Sequence, residues 1–205
     1  MHNSDGFDLV DTCNAVVRHC FVRSFDDSII VKSFNSGSIH NILVADCVVW
    51  TDWGFSLGVT YETRTDTIND ITFRECDILH NIACRGALGM NPNDRAALSN
   101  IRFEDIRVED ARSGLIEVVI ERSRYAKDPE PGQIRDIYFK DIDVTGGPFP
   151  PSIVHGHSER HTVENVTFEN ITIHGKRIDG PDAGQFQVGG HAKNVRFIAE
   201  AGPAR

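Results

Sequence analysis

The chain has 205 residues, 40% of them hydrophobic, which is enough to bury a core and reads most simply as one domain spanning 1–205. Its 21 Lys and Arg stand against 30 Asp and Glu, a net charge of −9, with no basic run interleaved with aromatics; this excludes a nucleic-acid partner. No apolar run approaches the roughly 20 residues of a membrane-spanning helix, so no membrane partner is expected.

In chain order, the first stretch is "NSDGFDLVDTCNAVVRHCFVRSFDDSIIVKS", residues 3–33, which sets Asp5 and then the pair Asp26-Asp27 about one strand-and-turn unit apart. Within it begins a phrase that recurs: "NAVVRHCFV" from Asn14, "NILVADCVV" from Asn41, "DITFRECDI" from Asp70, "NIRFEDIRV" from Asn100, "DIYFKDIDV" from Asp136, "NVTFENITI" from Asn165 and "NVRFI" from Asn194. The starts are separated by 27, 29, 30, 36, 29 and 29 residues. Each phrase opens with Asn or Asp and then alternates apolar and polar residues, the period of a strand with one buried face. Between phrases lie the corner residues Gly, Pro, Asn, Asp and Ser.

Units of about 30 residues made only of strands and corners predict an all-β chain, a right-handed parallel β-helix of about seven rungs stacked roughly 4.8 Å apart. Leucine-rich, ankyrin and tetratricopeptide patterns are absent. Cys20, Cys47 and Cys76 share one position of successive phrases, continued by Ile106, Ile142 and Ile171, so these thiols read as small buried hydrophobes in an inward ladder. No metal site is expected. A second strand of each rung follows through "DGFDLV", "DSIIVKS", "GFSLGV", "IACRGA", "GLIEVV", "PSIVHG" and "GQFQVG".

Aligning the first two of these strands makes Asp5 and Asp27 equivalent, with Asp26 at the corner just before. Carboxylates one rung apart lie roughly 5 Å from each other, and such crowding is expected to raise at least one pKa, so that one group holds a proton while another accepts one. Glycosidic cleavage needs that division of labour.

At these residues the chain resembles the polygalacturonases, the family 28 glycoside hydrolases: "NSD" followed by "FDD" is similar to that family's Asn-Thr-Asp and Asp-Asp motifs, in the same order. The resemblance implies the β-helix fold, a polysaccharide or oligosaccharide substrate, no cofactor, and an extracellular or periplasmic location for the full-length protein. It implies that Asp26 is the general acid, that Asp5 and Asp27 activate the attacking water with inversion at the anomeric carbon, and that Asn3 belongs to the site. The match then departs. In "DWGFSLG" Trp53 stands where the family has the His of Gly-His-Gly, and in "ACRGALG" Arg85 is present but Ala87 replaces the Lys of Arg-Ile-Lys. Those basic residues are associated with the uronate carboxylate, so a neutral or differently charged glycan is expected, with Trp53, and Trp50 and Tyr61 from the same segment, offering ring faces to a sugar.

Further along, the insertion "ERSRYAKDPEPG", residues 121–132, explains the 36-residue interval and is expected to bulge from the stack as a groove wall. Glu117, in the adjacent strand, is a further substrate-contact candidate. "HGHSERH", residues 155–161, reads as a turn and not a metal site. No capping helix precedes the first rung, so the chain is expected to be a fragment lacking N-terminal rungs, or to self-associate through that end. Two alternatives stand beside the hydrolase: a carbohydrate-binding or structural module without activity, and a calcium-dependent polysaccharide lyase on the same architecture.

Overall fold

A computed structural model of the chain describes residues 4–35, 37–82 and 85–199. The chain winds as a parallel β-solenoid of about six turns. One face is a seven-stranded sheet whose order follows the chain: Phe7–Val10, Ile29–Ser33, Leu57–Thr63, Leu88–Pro92, Ile116–Val119, Ser152–His155 and Phe186–Val188. All neighbouring pairs in it are parallel. The recurring phrases form the second sheet, which includes Ser38–Ala45, Thr67–Asn81, Ala97–Val108, Gln133–Val144 and Val163–Ile173. The fourth strand of the short sheet starts at Leu88, later than the stretch "IACRGA" suggests.

The opening residue of each phrase has a backbone reason. Asn14, Asn41, Asp70, Asn100, Asp136, Asn165 and Asn194 all have φ between 51° and 59°. In that left-handed region Asn and Asp are tolerated better than other side chains. Their side chains also pair from turn to turn: Asn165 Nδ2 donates to Asp136 Oδ1 at 2.8 Å, and Asn194 Nδ2 donates to Asn165 Oδ1 at 2.8 Å. Replacing Asn165 by Ala is therefore expected to cost about 1–2 kcal/mol, with Asn165→Gly recovering the backbone part. Urea midpoints of the two variants check this.

Inside the coil, Phe73, Phe103, Phe139, Phe168 and Phe197 stack with ring centroids 4.8, 4.9, 5.2 and 4.9 Å apart. The inward ladder holds from Cys47 onward, with Cys47 and Cys76 buried and Cys76 in register with Ile106, which in turn aligns with Ile142 and then Ile171, whereas Cys20 at the first turn is only partly buried. Cys13, Cys20, Cys47 and Cys76 are free thiols, and burial pushes Cys76 up to about 12. Cys84 lies outside the described residues. At the first turn, the core-facing Phe7 and the outward-facing Phe21 are exposed, Phe21 by 64%.

The short sheet positions the chemistry. Along Ile29–Ser33, Ile29 and Val31 enter the core cluster while Ile30 and Lys32 alternate to the outer face. Between Val31 and Ser33 the partner strand runs from Val59 to Thr63, two residues longer, so a bulge throws Tyr61 and Glu62 outward. Tyr61 has φ 58°, which for a bulky side chain costs about 1–2 kcal/mol.

Candidate active site

Over the outer face of the short sheet, at its N-terminal end, lies a pocket of about 370 Å³. Asp5, Asp26 and Asp27 line it together with Asp8, Glu62, Lys32, Trp53, Gly54, Tyr61 and Arg85. The expected register places the acids: Gly6 N–H donates to Asp27 O at 2.8 Å, and Asp26 N–H donates to Ser4 O at 3.3 Å. The turn carrying the pair is fixed from beneath by buried hydroxyls. Ser24 Oγ donates to Asp26 O at 2.7 Å and meets Ser28 Oγ at 2.6 Å, and the chain continues through Thr51 to Ser56. Asn81 Nδ2 then donates to Ser56 Oγ and to Gly54 O, at 3.0 and 3.1 Å.

Gly54, next to Trp53, owes its identity to close approach. A Cβ there would lie 2.4 Å from both Asp27 N and Asp27 Oδ1, and 2.7 Å from Asp26 Oδ1. With no side chain in the way, Asp27 Oδ1 accepts the Phe55 N–H at 2.9 Å. Asp26 Oδ1 accepts the Asp27 N–H at 3.1 Å.

Lys32 is the residue that sequence reasoning missed. Its Nζ lies 2.9 Å from Asp5, 3.1 Å from Asp8, 3.4 Å from Asp27 and 4.0 Å from Glu62, and its side chain is only 8% exposed. Burial works against the ammonium, yet the attraction of Asp27, Asp5 and Asp8 outweighs it and holds Lys32 above its ordinary range. Burial likewise pushes the Asp27 carboxyl up to about 6, against the pull of Lys32 and the Phe55 N–H; repulsion from Asp26 and Asp5 adds less. Asp8 is raised in the same way, by burial first, with Lys32 opposing. The expectation that mutual repulsion tunes the acids is thus corrected. Desolvation is the main cause, and one shared ammonium makes the crowding tolerable. The available signal was a single Lys inside the apolar run "IIVKS".

The remaining expected residues divide. Trp53 is 52% exposed and faces the pocket. Tyr61 lines it too, whereas Trp50 does not: its ring lies against His80 at 4.4 Å and its Nε1 donates to Asp52 at 2.9 Å. Arg85 lies over the Tyr61 ring at 5.3 Å and pairs with Glu117 at 3.0 Å. Glu117 does not line the acid pocket. It borders a neighbouring hollow with Arg85 and Gly86, and burial raises its pKa against the pull of Arg85 and the Gly86 N–H. Asn3 lies outside the described residues. Of the histidine-rich turn, His161 Nε2 lies 3.1 Å from Glu130 and His155 Nε2 3.3 Å from Glu121, both in the 121–132 segment.

The family model for glycosyl hydrolases family 28 matches residues 1–184. A probable endopolygalacturonase D of Neosartorya fischeri is 27% identical over 182 residues, covering 85% of this chain and 36% of that protein. Its counterpart in Emericella nidulans is 25% identical over 195 residues, covering 89% and 35%. This chain therefore spans about a third of the length of the curated relatives it matches. Among solved structures, the exopolygalacturonase of Thermotoga maritima superposes with a TM-score of 0.62 at 17% identity, over 96% of this chain and 44% of that one, a likeness of fold.

Proposed function

Because this chain belongs to glycosyl hydrolases family 28, we propose that it hydrolyses glycosidic bonds with inversion, using Asp26 as general acid and Asp5 with Asp27 to activate water. The observation that carries this reading is the Lys32 ammonium within 2.9 Å of Asp5 and 3.4 Å of Asp27, in a pocket that Asp26 also lines. The ammonium pulls the Asp27 carboxyl toward its charged form, against the burial that raises its pKa. With one oxygen accepting the Phe55 N–H and the other facing Lys32, Asp27 is held as an acceptor. Its pKa of about 6 makes it a stronger base than an ordinary aspartate, and it is ionised at neutral pH. Asp26 is left to protonate the departing glycosidic oxygen.

The substrate in this proposal is a neutral glycan. Five carboxylates line the pocket against two cations, and both cations are engaged, Lys32 by the acids and Arg85 by Glu117. A uronate would meet a negative field there, whereas Trp53 and Tyr61 offer faces that suit an uncharged pyranose. The test compares polygalacturonate with its carboxyl-reduced, neutral counterpart. Faster release of reducing ends from the neutral polymer is expected, and proton NMR should show the first-formed product with the anomeric configuration opposite to that of the cleaved bond. Preference for the charged polymer overturns the substrate assignment, retention of configuration overturns the mechanism, and binding without release points to a carbohydrate-binding module.

A further inference from the structure

The 121–132 segment is held to the coil beneath it by the buried stretch "NPND", residues 91–94. Asn91 Oδ1 accepts the Glu121 N–H at 3.1 Å and Asn93 Oδ1 accepts the Ser123 N–H at 2.8 Å. Asp94 Oδ1 accepts two successive donors, the Lys127 N–H at 2.6 Å and the Asp128 N–H at 2.8 Å. The Asp128 carboxylate in turn meets Arg95 at 2.8 Å and Arg64 at 3.6 Å. Asn91, Asn93 and Asp94 are each at most 1% exposed, so the accepting oxygens are shielded from water on the coil side and hold the backbone of the segment.

What the clamp presents is Tyr125. Its ring stands edge-on to Tyr61 with centroids 5.9 Å apart, and both line the acid pocket. Tyr61 reaches that position only through the bulge between Val59 and Thr63 and its left-handed backbone. A strained residue and a clamped insertion, separate in sequence, thus bring two rings to one place beside the acids. Strain of this kind is retained where the surrounding structure enforces it, most often at sites that act on ligands.

We infer that Tyr61 and Tyr125 form a carbohydrate subsite that takes the apolar face of a pyranose ring bound next to the acids, and that Asp94 is the positioning residue that sets it by fixing Tyr125. This subsite rests on the reading of the pocket as a glycan site, but not on turnover. The probe is a carboxyl-reduced tetragalacturonate, titrated calorimetrically with every protein, the reference included, carrying Asp26→Asn so that the probe is bound without being cleaved; hydrolysis is assayed separately with Asp26 in place. Tyr125→Ala is expected to raise its Kd roughly fivefold, an effect typical of one lost aromatic contact, while Tyr125→Phe, which keeps the ring, stays near the reference.

Asp94→Ala should raise the Kd in parallel and expose the segment to trypsin after Arg122, Arg124 and Lys127. Asp94→Asn, which retains the accepting oxygen, should restore both affinity and protection. An unchanged Kd in Tyr125→Ala, no measurable binding of the probe to the reference, or equal tryptic cleavage of Asp94→Ala and wild type overturns the inference. Absence of hydrolysis in every variant, with these binding differences intact, would remove the hydrolase reading and leave the subsite standing.

Discussion

Replacing Asp26 by Asn is expected to slow cleavage of a polysaccharide by about 100- to 10,000-fold, the range contributed by a positioned proton donor, while the chain stays folded. The fold is preserved because the amide oxygen still accepts the Asp27 N–H that Asp26 Oδ1 holds at 3.1 Å. The loss should depend on the leaving group. A dinitrophenyl glycoside departs without needing a proton, so Asp26→Asn should keep most of its rate on that substrate. Asp27→Asn lacks the group proposed to take the proton from water, and should be slow on both substrates. Steady-state kinetics on the two substrates separates the roles, and undiminished polysaccharide turnover in Asp26→Asn eliminates the acid assignment.

Replacing Lys32 by Met is expected to be the most damaging substitution away from the three aspartates. It leaves Asp5, Asp8, Asp27 and Glu62 facing one another without the ammonium that lies within 4.0 Å of each. Removing one partner of a buried charge cluster costs about 3 kcal/mol or more. The pH dependence has a definite sign. Asp27 binds its proton more tightly in the fold, with a pKa of about 6, than at its ordinary 3.8. Its contribution therefore favours folding at low pH and is lost as pH rises from about 3.8 through about 6. Because Lys32 holds this pKa down, Lys32→Met should move the upper end of that window higher.

Two measurements check this. Urea midpoints should show Lys32→Met less destabilised at pH 5 than at pH 7.5. The acidic limb of kcat/KM should move to higher pH, and at a fixed pH on that limb the rate should fall about tenfold for every pH unit the limb moves. An acidic limb unmoved from wild type would mean that Lys32 does not set the proton affinity of Asp27.

The repeat was legible because its physics is local. An Asn or Asp that tolerates a left-handed corner, followed by residues alternating in and out, recurs at nearly fixed spacing, and the Phe and Cys ladders follow from that spacing alone. The meeting of Asp5 and Asp27 was legible for the same reason, since residues one coil apart in a solenoid are neighbours. Lys32 was harder to place. Its position on the outer face can be counted, but the four carboxylates around it come from three coils, two on the first and one each on the second and third, and Glu62 arrives only because a bulge adds two residues after Val59. Glu117 was read, from the strand next to the insertion, as a further substrate-contact candidate. Its actual partner is Arg85, a lateral contact that a one-dimensional alignment of coils does not contain.

By itself, then, the amino-acid order determined the solenoid, the inward ladders and the three aspartates at one end, because each depends on period and corner chemistry. Only the tertiary structure decided that an ammonium makes their crowding tolerable, that Gly54 is bare so the pair can approach, and that Tyr125 comes to stand beside Tyr61. Those depend on desolvation, on close approach and on where a bulge and an insertion direct side chains, and these quantities exist only once separate coils are packed together.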